Sequence, residues 1–149
     1  MRPYELAKAN LSDYGFLKNV HHITLKAHVS NIWGWDEGTQ DAFFKEDFES
    51  GHIQVIRALD QPVGYLQLNE EVSVIFIINI LILPEFQNQK LGSTIIKGLI
   101  SKARAKGVPL KLGVFKVNPR AKNLYESLGF QVYAENETHY MMSLDPGKL

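Results

Sequence analysis

The sequence contains no cysteine and carries no net charge, and each absence excludes a class of protein. Without cysteine, the 149-residue chain forms no disulfide, no thiolate metal site and no cysteine nucleophile, which argues against a disulfide-stapled secreted scaffold. Its 16 basic residues balance 16 acidic ones, so no broad positive field attracts nucleic acid or anionic lipid. We therefore expect neither nucleic acid nor a membrane among its partners.

Long apolar runs are absent as well. The longest, over residues 74–83, is interrupted by Asn79 and is too short to span a bilayer. The first residues lack the apolar core of a signal peptide, so we expect a cytoplasmic protein. The length suits one domain, and no linker, repeat or low-complexity stretch interrupts it, which predicts a single domain over residues 1–149.

Hydrophobic periodicity predicts alternating strands and helices. Helical spacing marks residues 13–30, and a second helix follows with Thr39 as its cap. Two alternating segments form a predicted hairpin around a turn at residues 60–62, and residues 72–83 read as a strand covered on both faces. A helix over residues 90–106 and a shorter helix capped by Asn118 are interleaved with further strands. The order β-α-α-β-β-β-α-β-α-β-β predicts an α/β sheet with helices on both sides.

The most informative segment is the strand, turn and helix start over residues 80–93. The first amides of a helix lack partners within the helix, and the helix dipole favours negative charge there. The turn is therefore a candidate anion site. On this physics alone, a plain connection between a strand and a helix explains the segment equally well.

The same segment resembles motif A of the GCN5-related N-acetyltransferase (GNAT) superfamily, a Gln/Arg-x-x-Gly-x-Gly/Ala pattern after a strand and a proline. Pro84, Gln87 and Gly92 match, while Lys90 replaces the first glycine. We expect the Lys90 backbone to stay helical, with its amide donating and its ammonium near the phosphates as a point charge. The alternative is that Lys90 hinders the close backbone approach that glycine permits and weakens cofactor binding.

The resemblance implies acetyl-CoA as co-substrate and no metal. It places the pantetheine arm on one set of backbone groups and the pyrophosphate on another: Ile80, Leu81 and Ile82 for the arm, and Gln87, Asn88, Gln89, Lys90, Leu91, Gly92 and Ser93 for the pyrophosphate.

A second segment, Asn118-x6-Tyr125-Glu126-x-Leu128-Gly129-Phe130, resembles motif B of the same superfamily. There the tyrosine points at the CoA sulfur, so Tyr125 is the expected general acid for the departing thiolate. Core packing on the apolar stripe of the helix is the alternative. Asn118 is expected to cap the helix and contact the cofactor. The two motifs imply a GNAT-like mixed central sheet of about six or seven strands flanked by about four helices.

The acceptor amine must lose a proton, because an amine with a pKa near 10.4 is mostly charged at pH 7. Some members of the superfamily place a glutamate on the strand before motif B, where this chain has Gly113. Asn79 is a candidate for ordering a water or the substrate, or else for satisfying a buried backbone group. His139 is the best-placed histidine for a proton relay, with a structural role as the alternative.

The segment between the first two helices is the candidate acceptor wall. Trp33, Trp35 and Glu37 combine ring faces with a carboxylate, which suits a cationic amine, and Glu37 is also a candidate catalytic base. A hydrophobic plug with an acidic helix start fits the segment equally well. His21 and His22 are expected to face different ways, and no histidine pair predicts a metal site.

These residues predict an acetyl-CoA-dependent N-acetyltransferase acting on a primary amine by direct attack, with a small cationic amine favoured. A non-catalytic acyl-CoA-binding sensor or regulatory module, and a protein N-terminal or lysine acetyltransferase, are the alternatives. Dimers are common in the superfamily, which makes a homodimer one candidate assembly.

Overall fold

The computed structural model describes residues 4–87 and 89–148. Within them the chain forms seven strands and four α-helices, in the order predicted from the sequence. The strands are β1 Glu5–Lys8, β2 Ile53–Ala58, β3 Gln61–Glu70, β4 Ile75–Ile82, β5 Leu110–Phe115, β6 Gln131–Glu135 and β7 His139–Leu144. The helices are α1 Tyr14–Ile32, α2 Glu37–Glu49, α3 Leu91–Lys106 and α4 Pro119–Ser127, with short 3-10 turns at Leu11–Asp13, Pro84–Phe86 and Pro146–Lys148. No described helix has the length and apolar character that crossing a membrane requires.

The strands form one mixed sheet in the order β1-β2-β3-β4-β5-β7-β6. Strand β5 pairs in parallel with β4 and antiparallel with β7, so the sheet changes direction at its centre. The parallel ladder joins Ile75–Ile77 to Leu110–Leu112. The predicted α/β class, with a mixed sheet and four helices, is confirmed.

The chain divides into two compact units. The first contains the chain up to Gln67 together with Asn79–Gly92. Apolar faces of α1 and α2 pack there on β2 and β3, and each side chain of this size gains roughly 1.5–3 kcal/mol by burial. The buried members of this core are Leu17, Val20, Phe44, Ile53, Val55, Tyr65 and Leu83.

The second unit contains Leu68–Ile78 and the chain from Ser93 onward. Buried residues recur on one stripe of α3, and β5 alternates buried and half-buried positions, as expected for these periods. Helix α4 differs from its prediction, because none of its residues is fully buried and Leu124 is 38% exposed. Its apolar stripe is therefore only partly covered within the described structure.

Two local predictions are wrong. Asp36, not Thr39, caps α2, since its Oδ2 accepts the Thr39 amide at 2.9 Å and aspartate is among the strongest caps. The hairpin turn is formed by Leu59 and Asp60, with φ values of 55° and 63°, and not by residues 60–62. Positive φ at both central residues matches the twist of the flanking strands, so Pro62 falls within β3.

Candidate active site

The turn after β4 and the first two residues of α3 belong to the first unit. After Leu83 and the 3-10 turn, the Gln87 side chain reaches back and donates its Nε2 hydrogen to the Ile82 carbonyl at 2.7 Å. This bond ties the turn to the end of the strand. Gln89 is exposed, and Asn88 lies outside the described residues. Because the first amides of a helix have no acceptor within it, the start of α3 offers donors to an anion.

Lys90 has a φ of 62°, in the left-handed region. The expectation that its backbone stays helical is therefore wrong. Glycine adopts this conformation without a steric penalty, whereas a residue with a Cβ does not. The chain thus keeps the backbone path that a glycine allows, although a lysine occupies the position.

Gly64 on β3 lies against the predicted cofactor-binding segment and was not predicted from the sequence. A Cβ added to Gly64 would lie 2.0 Å from the Leu81 carbonyl oxygen, so only glycine permits this approach of β3 to β4. The amide of Leu83 also donates to the Val63 carbonyl at 2.9 Å. Gly64 therefore fixes the position of the strand segment predicted to hold the pantetheine arm. A lone glycine within an alternating strand was the available signal.

Within the described residues, the Asn79 side chain bonds to another side chain and makes no bond to the backbone. Its Nδ2 donates to Gln67 Oε1 at 3.0 Å, and Gln67 is only 2% exposed. Asn79 itself is half-buried, on β4 immediately before Ile80. The sequence analysis did not single out Gln67, because its partner lies on the neighbouring strand.

Helix α4 carries the motif B residues in the second unit. Asn118 caps it as predicted, since its Oδ1 accepts the Ala121 amide at 3.2 Å. Tyr125 is half-buried and packs edge-on against Phe130, with ring centroids 5.7 Å apart. Burial raises the pKa of the Tyr125 phenol to about 12. The phenol therefore holds its proton at neutral pH, as a proton donor must.

His139 lies beside the position that a glutamate occupies in some members of the superfamily. Gly113 pairs with Met141 across β5 and β7, and a Cβ added to Gly113 would lie 3.8 Å from His139 Cδ2. The imidazole stacks on Phe115 with centroids 4.4 Å apart. Burial lowers the pKa of His139 below its ordinary value, so the ring is neutral at pH 7 and able to accept a proton.

Hydrogen bonds around His139 constrain its tautomer. Its Nδ1 lies 2.7 Å from Thr138 Oγ1, which is also 3.1 Å from Asn136 Oδ1. Asn136 Oδ1 accepts the amides of Thr138 and His139, which identifies that atom as the oxygen. The Thr138 hydroxyl has one proton. When it donates that proton to Asn136 Oδ1, its oxygen can only accept from His139, so Nδ1 carries the proton of the imidazole and Nε2 carries the lone pair.

A polar cluster joins α1 to α2 in the first unit. Trp35 Nε1 donates to Glu37 Oε2 at 2.6 Å, and His22 Nε2 lies 2.7 Å from Asp41 Oδ1 and 3.6 Å from Glu37 Oε1. Nδ1 of His21 is 2.9 Å from Nδ1 of His22, so the expectation that these histidines face different ways is wrong. Both rings turn toward α2, where Asp41 accepts a hydrogen bond and Phe44 contacts His21.

The cluster brings three potential metal ligands together. Ligand atoms of His22, Glu37 and Asp41 all lie within 4.8 Å of one another, an arrangement hidden in the sequence because it spans two helices. Lys18 Nζ lies 3.3 Å from Asp41 Oδ1, so a cation already faces one of these carboxylates. The hydrogen bond from His22 is the largest cause that lowers the pKa of Asp41. The expectation that the protein uses no metal stays a prediction.

The predicted acceptor-wall residues differ in their surroundings. Trp35 is half-buried, and the His22 ring meets it edge-on with 5.1 Å between the ring centroids. Lys26 Nζ lies 5.7 Å from the centroid of the Trp35 ring. Trp33 is 62% exposed. Trp35 and Glu37 thus belong to one connected group.

The fold is that of an acetyltransferase. In its mixed sheet a central strand leads through a turn into the start of a helix, and a later helix, capped by an asparagine, carries a tyrosine. Residues 17–130 match the model of the acetyltransferase (GNAT) family, so the chain belongs to this family and is an acetyltransferase. A comparison of the sequence with curated proteins gives no match.

Solved structures of acetyltransferases share the fold over nearly the whole chain. The PaiA N-acetyltransferase of Thermoplasma acidophilum, in complex with coenzyme A, is 18% identical with a TM-score of 0.76, covering 97% of this chain and 99% of its own. An acetyltransferase of Thermus thermophilus is 19% identical with a TM-score of 0.77, covering 97% of both chains. The spermidine N-acetyltransferase of Vibrio cholerae, in complex with CoA and spermine, is 17% identical with a TM-score of 0.71, covering 98% of this chain and 97% of its own.

Proposed function

We propose that the protein transfers the acetyl group of acetyl-CoA to a primary amine of a small cationic acceptor. The observation that carries this proposal is the group formed by Trp35, Glu37 and Asp41, in which two carboxylates stand beside an indole ring. Carboxylates and ring faces together recognise an ammonium group. A spermidine N-acetyltransferase with a similar fold, whose structure contains CoA and spermine, supports the same class of acceptor.

The acetyl-CoA pyrophosphate is proposed to bind at the start of α3. The amides of Gln89, Lys90, Leu91, Gly92 and Ser93 supply donors there, and the Lys90 ammonium adds a positive charge. Structures of similar fold contain bound CoA, which supports the co-substrate. The roles of Gln87 and Asn88 in the same loop, and of Asn118 on α4, stay predictions.

The pantetheine arm is proposed to lie along the backbone of Ile80, Leu81 and Ile82. Gly64 supports this assignment because it holds Leu81 close to β3. A backbone amide of this segment would then polarise the thioester carbonyl as negative charge develops on its oxygen.

The transfer itself removes two protons from the acceptor nitrogen. His139 Nε2 is proposed to take one proton from the bound ammonium, which leaves a neutral amine. The amine attacks the thioester carbonyl, a C–N bond forms, and the C–S bond breaks with loss of CoA thiolate. The Tyr125 hydroxyl is proposed to protonate the thiolate, and the second proton of the nitrogen is proposed to restore the Tyr125 phenol. The lowered pKa of His139 and the raised pKa of Tyr125 leave each group in the protonation state that its role needs.

Release of CoA thiol over a panel of amines tests the proposal. The panel contains putrescine, spermidine, spermine, free amino acids, and peptides that offer an N-terminal or a lysine amine. Glu37→Gln is expected to lower kcat/KM for the preferred polyamine about fivefold, the value of one exposed ion pair, with the Kd of acetyl-CoA unchanged.

Glu49→Gln provides the matched control, because Glu49 lies at the other end of α2 and pairs with Lys45. This variant is expected to keep wild-type kinetics. Turnover confined to peptide amines, or a Glu37→Gln effect confined to acetyl-CoA affinity, would contradict the proposed acceptor.

A further inference from the structure

The turn between β6 and β7 contacts the His139 ring through a short network of side chains, the turn network, which consists of Asn136, Thr138 and His139. His139 Nδ1 lies 2.7 Å from Thr138 Oγ1, and Thr138 Oγ1 lies 3.1 Å from Asn136 Oδ1. Asn136 Oδ1 also accepts the amides of Thr138 and His139, at 2.9 and 2.8 Å. All three residues belong to the second unit. The network therefore begins at an acceptor held by the backbone and ends on one nitrogen of the imidazole.

Backbone and ring contacts keep the turn network in place. The Asn136 amide donates to the His139 carbonyl at 3.0 Å, and the Lys116 amide, just after β5, donates to the Thr138 carbonyl at 2.8 Å. The Phe115 ring lies against the imidazole, with 4.4 Å between the centroids and 37° between the planes. Turning the imidazole over in this plane would place a ring carbon against Thr138 Oγ1. The hydrogen bond to Thr138 therefore selects the observed orientation of the ring.

The donors and acceptors of the turn network decide between the two tautomers of His139. Asn136 Oδ1 only accepts, because two backbone amides donate to it. If the Thr138 hydroxyl donated to Nδ1, the oxygens of Thr138 and Asn136 would face each other at 3.1 Å with no proton between them. If it donates to Asn136 instead, its oxygen accepts from Nδ1, and both contacts are hydrogen bonds. The additional hydrogen bond favours the tautomer with its proton on Nδ1 about fivefold.

In this tautomer His139 offers Nε2 as its proton acceptor, because the lone pair lies on that nitrogen. Burial lowers the pKa of His139, so the ring is neutral at pH 7. The charged groups on the neighbouring elements are Lys116 after β5, Glu135 on β6 and Glu137 in the turn, and Lys116 Nζ lies 3.7 Å from Glu135 Oε2. Asn136 and the Thr138 hydroxyl are uncharged. They orient the ring without adding an opposite charge, which would raise its pKa.

We propose that Asn136 and Thr138 are positioning residues, which hold His139 with its proton on Nδ1 so that Nε2 accepts a proton from the bound ammonium. This inference rests on the proposed acetyl transfer, in which His139 is the base. The ammonium loses one N–H bond and Nε2 gains one, so the imidazole becomes a cation. Its Nδ1–H then donates a stronger, charge-assisted hydrogen bond to Thr138. Asn136 and Thr138 act through His139 and touch neither substrate in this role.

The kinetic test removes the Thr138 hydroxyl. Thr138→Val keeps the shape of the side chain but leaves Nδ1 without its acceptor, so the proton can move to Nε2. The kcat with the preferred amine is expected to fall about fivefold, the value of one hydrogen bond, while the Kd of acetyl-CoA stays within about twofold. Thr138→Ser keeps the hydroxyl and is expected to recover most of this loss. Glu137→Gln, an exposed neighbour in the same turn, is expected to keep wild-type kcat.

A charge placed at the far end of the turn network gives a second test. Asn136→Asp keeps an oxygen that accepts the same two amides and the Thr138 hydroxyl, but adds a negative charge that favours the protonated imidazole. The pKa of His139 is expected to rise, so the fall of kcat/KM at acidic pH moves to higher pH by about half a unit, the value of one exposed ion pair. High salt is expected to reduce this shift. A purely structural role of Asn136 does not predict the shift, and a fall that stays in place would overturn the link between Asn136 and His139.

A spectroscopic readout keeps this inference distinct from the proposed function. The ring nitrogens of His139 are followed by ¹⁵N–¹H NMR at pH 7 in the protein without ligand, where turnover plays no part. The wild type is expected to carry its proton on Nδ1, and Thr138→Val is expected to move about half of the molecules to the other tautomer, whereas Glu137→Gln leaves the distribution unchanged.

The outcomes separate the two proposals. A wild-type proton on Nε2, or a Thr138→Val variant with an unchanged tautomer, would overturn the positioning role even if amines are acetylated. The expected tautomers without turnover of any amine would overturn the proposed function and leave the tautomer assignment standing.

Discussion

Replacing Lys90 with glycine separates the two contributions of this residue to the phosphate turn. Lys90 adopts a φ of 62°, and a left-handed conformation costs a residue with a Cβ roughly 1–2 kcal/mol. Glycine avoids this cost but loses about 0.5–1 kcal/mol more conformational entropy on folding. Lys90→Gly is therefore expected to raise the free energy of unfolding by about 0.5–1 kcal/mol, or the Tm by roughly 2–3 °C in a chain of this size.

The same substitution is expected to weaken acetyl-CoA binding. An exposed ammonium beside a phosphate is worth about 0.2–1 kcal/mol, so the Kd should rise about two- to fivefold at low salt and less at high salt. Stability and cofactor affinity thus move in opposite directions in this variant. Lys90→Ala removes the charge but keeps the conformational cost, so it should match the glycine variant in affinity without its gain in stability.

Urea denaturation and calorimetric titration with acetyl-CoA measure the two quantities on the same samples. A Lys90→Gly variant less stable than Lys90→Ala would show that the left-handed backbone at this position carries no cost. Wild-type affinity for acetyl-CoA in both variants at low salt would show that the Lys90 charge does not contribute to binding.

Three further predictions concern buried groups. Tyr65→Phe removes a buried hydroxyl that has no hydrogen-bond partner in the part of the chain that the structure describes, and should raise the free energy of unfolding by about 1 kcal/mol in urea denaturation. A loss of stability would reveal a partner for that hydroxyl. Gly64→Ala sets a Cβ 2.0 Å from the Leu81 carbonyl oxygen and should cost at least about 3 kcal/mol by the same measurement. His139 accepts a proton only above its lowered pKa, so kcat/KM should stay level at neutral pH and fall as the pH drops below 6.5, the ordinary pKa of histidine. His139→Gln should lower kcat about 100-fold and abolish this fall at acidic pH, whereas an unchanged fall would assign the titration to another group.

Local patterns predicted the fold because each element carries its own periodicity. The apolar stripe of α3 is visible in the sequence, and this helix forms over Leu91–Lys106, within one residue of the range predicted. Lys90 shows the limit of this reasoning, since a helical neighbour suggested a helical φ while the turn required a left-handed one. The backbone path of this turn depends on the positions of both β4 and α3. The residues next to Lys90 indicate the helix only.

Around the candidate site, local structure was predictable where a motif is contiguous, and contacts between separate elements were missed. The turn at residues 87–93 and the cap at Asn118 lie within single segments. The contact of His22 with Asp41 spans 19 residues, and that of Asn79 with Gln67 spans 12. Such pairs depend on helix packing and strand register, which no local pattern specifies.

The relation between Gly113 and His139 shows how the register of two strands can move a function along the sequence. Gly113 faces Met141 across the β5–β7 ladder, and His139 stands two residues before Met141, so its side chain shares that face as the diagonal neighbour. A carboxylate at position 113 and an imidazole at position 139 would therefore occupy the same region. A side chain at position 113 would also crowd Met141, and Gly113 avoids this contact. A proton acceptor is selected by where its atom lies and by its pKa, not by its place in the chain. We propose that His139 on β7 supplies the base that the glutamate on β5 supplies in some members of the superfamily, because the two positions are diagonal neighbours on one face of the sheet.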